Sequence, residues 1–106
     1  MFSNESARLY RQEQTKDIDY QYLDLTSEES CHDLIEYLRE NYGGIHTLVN
    51  NARGGDRACV ETESSKNWDL TFDVNLKGVF FLSRLSINLM KSSNIRGNIV
   101  NISSVS

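Results

Sequence analysis

Four short stretches of this chain place hydrogen-bonding side chains where an apolar run stops or is interrupted. Tyr22 and Leu23 lead to Asp24; Leu48 and Val49 lead to Asn50 and Asn51; Ile99, Val100 and Ile102 lead to Ser103 and Ser104. The fourth, DVNLKGVFF at 73–81, sets Asn75 in mid-helix with Gly78 three residues on. Taken singly, each has a plain reading as a turn residue, a loop-former or a helix cap. Together they could line a small-molecule site, because ligands bind outside the carboxyl ends of the strands in an open parallel sheet. Asn75 and Gly78 carry the sharper signal. A buried amide without partners costs roughly 1–3 kcal/mol, and glycine within a helix about 1 kcal/mol relative to alanine. Two such costs on one helix face indicate that Gly78 admits another backbone and that the Asn75 amide bridges backbone or water there.

The elements that would position these groups alternate. Residues 4–14 suggest a short helix capped by Ser3 or Asn4. Ile18, Tyr20 and Tyr22 alternate with polar residues and predict a strand ending at Asp24. Thr26 and Glu29 have capping-box spacing. Cys31, Leu34, Ile35, Leu38 and Tyr42 then form one helical stripe, which Gly43 and Gly44 end. A second strand is expected over 45–52. A long helix follows over 65–91, carrying Trp68, Phe72, Leu76, Val79, Phe80, Leu82, Leu85 and Leu89, and its apolar VFFL segment calls for cover from more than one side. Asn94 to Gly97 turn into a last, buried strand. Strand, helix, strand, helix, strand is the order of an α/β parallel sheet with helical crossovers.

With 106 residues there is room for one small domain. A net charge of -4 and the lack of any cluster of basic residues exclude a nucleic-acid footprint. No apolar run approaches membrane-spanning length, and no signal peptide opens the chain. Cys31 and Cys59 lie too far apart for a CxxC pair, so two reduced thiols in a cytoplasmic protein are expected. His32 and His46 have no second ligand at metal spacing, and no metal site is expected.

LVNNA at 48–52, DVNLKGVFF at 73–81 and GNIVNISSVS at 97–106 resemble three successive motifs of the short-chain dehydrogenase/reductase family, and Asp24 with Leu25 resembles its acidic adenine-contacting pair. The resemblance implies an incomplete Rossmann-like doubly wound parallel sheet of three strands with long helices, one partial NAD(P)-binding domain over 1–106. It implies NAD or NADP as cofactor and a small carbonyl or alcohol substrate. Asp24 and the Leu25 backbone would lie near the adenine, Asn51 and Ala52 near the adenosine ribose, and Val74 near the nicotinamide-side ribose. Asn75 would be the catalytic asparagine and Ser104 the hydroxyl that holds the reacting oxygen. Helix 65–91 resembles one the family uses for dimerisation.

The departures also carry expectations. Arg53 stands where the asparagine motif usually has glycine, and could reach a phosphate. No TGxxxGxG turn precedes the first strand, and none of Tyr10, Tyr20, Tyr22, Tyr37 and Tyr42 has a lysine four residues later, so the family's tyrosine and lysine pair is missing. In the sheet order 3-2-1-4-5-6 the strands here would be 3, 4 and 5, leaving strand 3 without its neighbours. The expected reading is a truncated oxidoreductase segment, inactive alone. The alternatives are an interaction module that pairs through the long helix with a full-length relative, and a flavodoxin- or receiver-type domain whose diagnostic loops are absent.

Overall fold

In the computed structural model, residue 13, residues 17–55 and residues 58–103 are described; the expected helix at 4–14 falls, apart from Glu13, outside them. The first helix, α1, spans Glu28–Tyr42. Its N-cap is Ser27, whose Oγ accepts from the Ser30 N–H at 3.1 Å. The capping box expected from Thr26 and Glu29 does not form. The Asp24 carboxylate takes both the Thr26 N–H, at 2.9 Å, and the Thr26 hydroxyl, at 2.6 Å. Thr26 is thereby committed to the turn, and the cap falls to the next residue. Gly43, at φ 76°, closes the helix by donating to the Arg39 carbonyl at 3.1 Å, in the left-handed geometry glycine adopts at no steric cost.

Two strands, β1 at Thr47–Asn50 and β2 at Asn98–Asn101, pair in parallel with Thr47 opposite Asn98 and Asn50 opposite Asn101. The third strand expected over 18–24 is absent; these residues run without regular structure. A strand is defined by the ladder it joins, and no neighbour lies beside this segment among the described residues. It is held by its side chains instead. Leu23 and Leu25 pack on the core, and the Asp19 carboxylate accepts from the hydroxyls of Tyr37 and, at 2.6 Å, Tyr42. That contact draws Tyr42 out of the expected apolar stripe to an exposed position.

The long helix expected over 65–91 is broken in the middle. Helix α2 spans Ser65–Phe72, capped by Ser64 Oγ on the Asn67 N–H at 3.0 Å. A π-helical turn occupies Asp73–Gly78, and α3 continues over Val79–Ser92. The C-terminal end of α3 is a Schellman closure. Asn94 takes φ 56°, the Ile95 N–H reaches back to the Met90 carbonyl at 2.8 Å, and the Asn94 N–H reaches Lys91 at 3.2 Å.

The core is the seam between α1 and α3. Cys31 and Ile35 are buried against Leu82, Leu85 and Leu89, flanked by Leu38, Ile45, Leu48 and Phe81. The cover expected on more than one side of VFFL is incomplete among the described residues: Leu82 is buried and Phe81 packs on the core, whereas Phe80 is 64% exposed. The last strand, expected to be buried, is also open, with Val100 at 43%. Helix α3 packs on β1, but the two-stranded sheet has no further strand beside it among the described residues, and the remaining surfaces stay open.

Candidate functional site

The parallel pairing brings the carboxyl ends of β1 and β2 to one edge, as the strand-exit pattern requires. There Asn50, almost fully buried, donates from Nδ2 to the Asn101 side-chain oxygen at 2.9 Å and to Ser83 Oγ at 3.2 Å. The chain past β2 stays in register, with the Ile102 N–H on the Asn50 carbonyl at 3.0 Å. Amide-to-amide bonding across the last rung locks the exit of both strands to α3. Sequence reasoning singled out Asn50 as a strand-end residue and missed Asn101 and Ser83. The signal for Asn101 was its place at the end of NIVN; only the register shows that it faces Asn50.

Asn75 occupies the π-helical turn, and its amide clamps the loop that leaves β1. Its Oδ1 accepts from the Gly54 N–H at 2.9 Å, and its Nδ2 donates to the Gly54 carbonyl at 3.3 Å. The bridge to backbone expected of this asparagine is therefore present. A π turn holds one extra residue per turn, which rotates a side chain away from the stripe a regular helix would give it. Gly54 can sit this close because it has no Cβ: one would stand 2.9 Å from Val74 Cγ2. Gly78 does the same for another segment, since a Cβ there would lie 2.8 Å from the Leu25 carbonyl oxygen. The two costs noted on this helix face thus admit two backbones, one at Gly54 and one at Leu25.

An open cleft of about 400 Å³ lies between the loop, the strand exits and the turn. Ala52, Arg53 and Asn75 line it together with Asn50, Asn101 and Ser103. Of the residues expected at a site, the structure gathers Ala52 and Asn75 here, and Val74 packs behind the loop on Gly54. Asn51 is exposed and does not line the cleft. Asp24 and Leu25 also lie away from it. Leu25 borders a separate cleft of about 280 Å³ with Thr26, Lys77 and Phe80, and the Asp24 carboxylate is occupied by Thr26. The two hydrogen bonds from Thr26, its hydroxyl first, hold the Asp24 pKa below the ordinary aspartate value of 3.8. Ser104 lies outside the described residues.

Such an arrangement can bind a small polar molecule: amides and a hydroxyl on a fixed edge, beside a loop whose backbone is pinned. Among the described residues, no group of three His, Cys, Asp or Glu side chains could hold a metal, and no helix is long and apolar enough to cross a membrane. A parallel strand pair joined by a helical crossover, with polar groups at the strand exits, is an arrangement of the α/β class. Residues 3–106 match the family model of the short chain dehydrogenases, and the chain belongs to that family.

It is similar to glucose 1-dehydrogenase 2 of Bacillus subtilis (strain 168), with 35% identity over 83 residues covering 77% of this chain and 32% of that protein. The NADP-dependent (R)-specific alcohol dehydrogenase of Lentilactobacillus kefiri is 35% identical over 82 residues, 77% of this chain and 32% of the relative. The 3-oxoacyl-(acyl-carrier-protein) reductase FabG of Thermotoga maritima is 36% identical over 89 residues, 83% and 35%. The chain spans about a third of the length of these curated relatives. Membership brings the Rossmann-like fold and the family's use of NAD or NADP.

Proposed function

We propose that this chain is the central segment of an NAD(P)(H)-dependent oxidoreductase acting on a small carbonyl or alcohol compound. One observation carries the reading: the Asn75 amide grips both backbone groups of Gly54 at the mouth of a cleft on the carboxyl edge of a parallel sheet. A nicotinamide cofactor fits these residues in part. The cleft lies in the size range of small-molecule sites, about 300–1,000 Å³, and its amides and hydroxyl suit ribose hydroxyls. When bound, the cofactor supplies or accepts the hydride. The chain's own residues bind and orient. Asn51 and Ala52 hold the adenosine ribose, and Val74 backs the loop near the second ribose. Asp24 and the Leu25 backbone contact the adenine. Asn75 and Ser104 form the catalytic contribution of this segment, Ser104 aligning the reacting oxygen.

The same reading treats residues 1–106 as one partial Rossmann-type unit in the cytoplasm, consistent with its free Cys31 and Cys59 thiols. The tyrosine general acid/base and its lysine are not in this sequence. Proton transfer of that kind is worth about 10²–10⁴ in rate, so the chain by itself binds without turning over. Titration with NADH and NADPH, followed by nicotinamide fluorescence and by amide resonances of Ala52, Gly54 and Asn75, tests this. Saturable shifts at the cleft and at Asp24, Leu25 and Asn51 are expected, with no alcohol- or carbonyl-dependent change in absorbance at the reduced nicotinamide band. Absence of binding overturns the assignment of the cleft, and measurable turnover overturns the inactivity.

A further inference from the structure

Arg53 carries the only charge among the side chains that line the strand-edge cleft; its neighbours there, Asn50, Asn75, Asn101, Ser103 and Ala52 among them, are neutral. Among the described residues no carboxylate pairs with it, although the chain as a whole is acidic at -4. The side chain also springs from a fixed point. The next residue, Gly54, is bonded through its N–H at 2.9 Å and its carbonyl at 3.3 Å to Asn75, so the Arg53 backbone cannot drift from the cleft without breaking that clamp. An exposed guanidinium with no carboxylate partner among the described residues, on an anchored loop beside neutral hydrogen-bonding groups, suits a planar, bidentate oxyanion partner.

We infer that Arg53 is a specificity-determining residue that binds a phosphate group entering this cleft. The inference rests on the nucleotide-binding reading proposed above if the phosphate belongs to a dinucleotide, and stands apart from it if a free phosphate suffices. The surrounding amides and the Ser103 hydroxyl supply neutral hydrogen bonds to ribose or phosphate oxygens, while Arg53 supplies the charge. Lysine at this position would keep the charge and lose the fork, giving a weaker and less oriented contact.

The experiment uses the 106-residue chain and four variants: Arg53→Ala, Arg53→Gln, Arg53→Lys and, as a distant cation, Lys91→Ala on the last turn of α3. Each is titrated with ADP-ribose and, separately, with inorganic phosphate, read by amide resonances at Arg53, Gly54 and Ala52. Retention of the dispersed wild-type spectrum reports folding. Removing a charge-assisted bidentate contact is expected to weaken ADP-ribose about 10-fold or more in Arg53→Ala and Arg53→Gln. Arg53→Lys is expected to fall between these and the parent, and Lys91→Ala to match the parent. If ADP-ribose fails to bind but phosphate shifts the cleft resonances in the parent and not in Arg53→Ala, the nucleotide reading fails and the anion site stands. If ADP-ribose binds the parent and Arg53→Ala equally, the nucleotide reading stands and the role of Arg53 is overturned. Silence with both probes overturns both; equal weakening by Lys91→Ala overturns the role of Arg53 alone, since the effect would then be one of net charge.

Discussion

At the scale of single residues, Asn75 and Asp24 show how a polar group can be committed to the backbone before any ligand arrives. Asn75→Ala removes two hydrogen bonds to Gly54 in a partly solvated setting, and a cost of about 1 kcal/mol is expected. The direct readout is exchange of the Gly54 amide hydrogen, which should quicken in the variant while amides in the α1–α3 core keep their protection. Unchanged exchange at Gly54 would mean that the clamp is not formed in solution. Asp24 makes a pH prediction. Its pKa is held below 3.8 in the folded chain by the Thr26 hydroxyl and N–H, so its carboxylate stabilises the fold above the unfolded pKa. That contribution is lost as pH falls from about 5 through the folded value. Urea midpoints measured across this range should fall less in Asp24→Asn than in the parent; parallel curves would refute the assignment. Tyr42 moves the other way. Donation to the Asp19 carboxylate, helped by the charge of Asp19, pushes its phenol up to about 12. In an absorbance titration, Tyr42→Phe should delete a tyrosine that ionises well above the ordinary phenol value.

At the scale of elements, Gly78 sets two effects against each other. Alanine at a helical glycine gains about 1 kcal/mol in intrinsic preference. The new Cβ, however, would meet the Leu25 carbonyl oxygen at 2.8 Å and Leu25 Cβ at 2.9 Å. Backbone cannot swing aside as a side-chain tip can, and overpacking of this kind costs roughly 1–3 kcal/mol. Gly78→Ala should therefore destabilise, with the loosening seen first in residues 23–26 by amide exchange; a rise in stability would show that Leu25 does not rest on this helix. Ser27→Ala tests the cap on α1, with an expected loss of about 1 kcal/mol. Thr26→Ala should leave that cap intact and remove the support on Asp24.

At the scale of the whole molecule, the exposed faces of α2, the π turn and α3 carry Trp68, Phe72, Leu76 and Phe80, and the sheet leaves Val49 exposed at 54%. Exposed apolar side chains in this number favour association. Self-association through residues 65–91 is the expectation that the family resemblance carries, and these exposed side chains make it testable. Sedimentation velocity should give a weight-average mass that rises with concentration, and Leu76→Glu with Phe80→Glu should hold the chain monomeric. Concentration-independent monomers of the parent would refute it.

The sequence by itself determined the helix over 28–42, the two strands that pair, and the importance of Asn75 and Gly78. Those features follow from local periodicity, from left-handed glycine at Gly43, and from propensity costs that only a tertiary contact offsets. It did not reveal the π turn, the Asn50–Asn101–Ser83 network or the lack of a strand at 18–24. Hydrogen-bond register, one extra residue in a helical turn and the presence of a ladder neighbour are relations between segments. No periodicity within Ile18–Asp24 can supply the neighbour a strand needs, and no spacing within NIVN can say which amide it will face. The tertiary structure decided those points, because backbone groups take whatever partners the packed chain brings within reach.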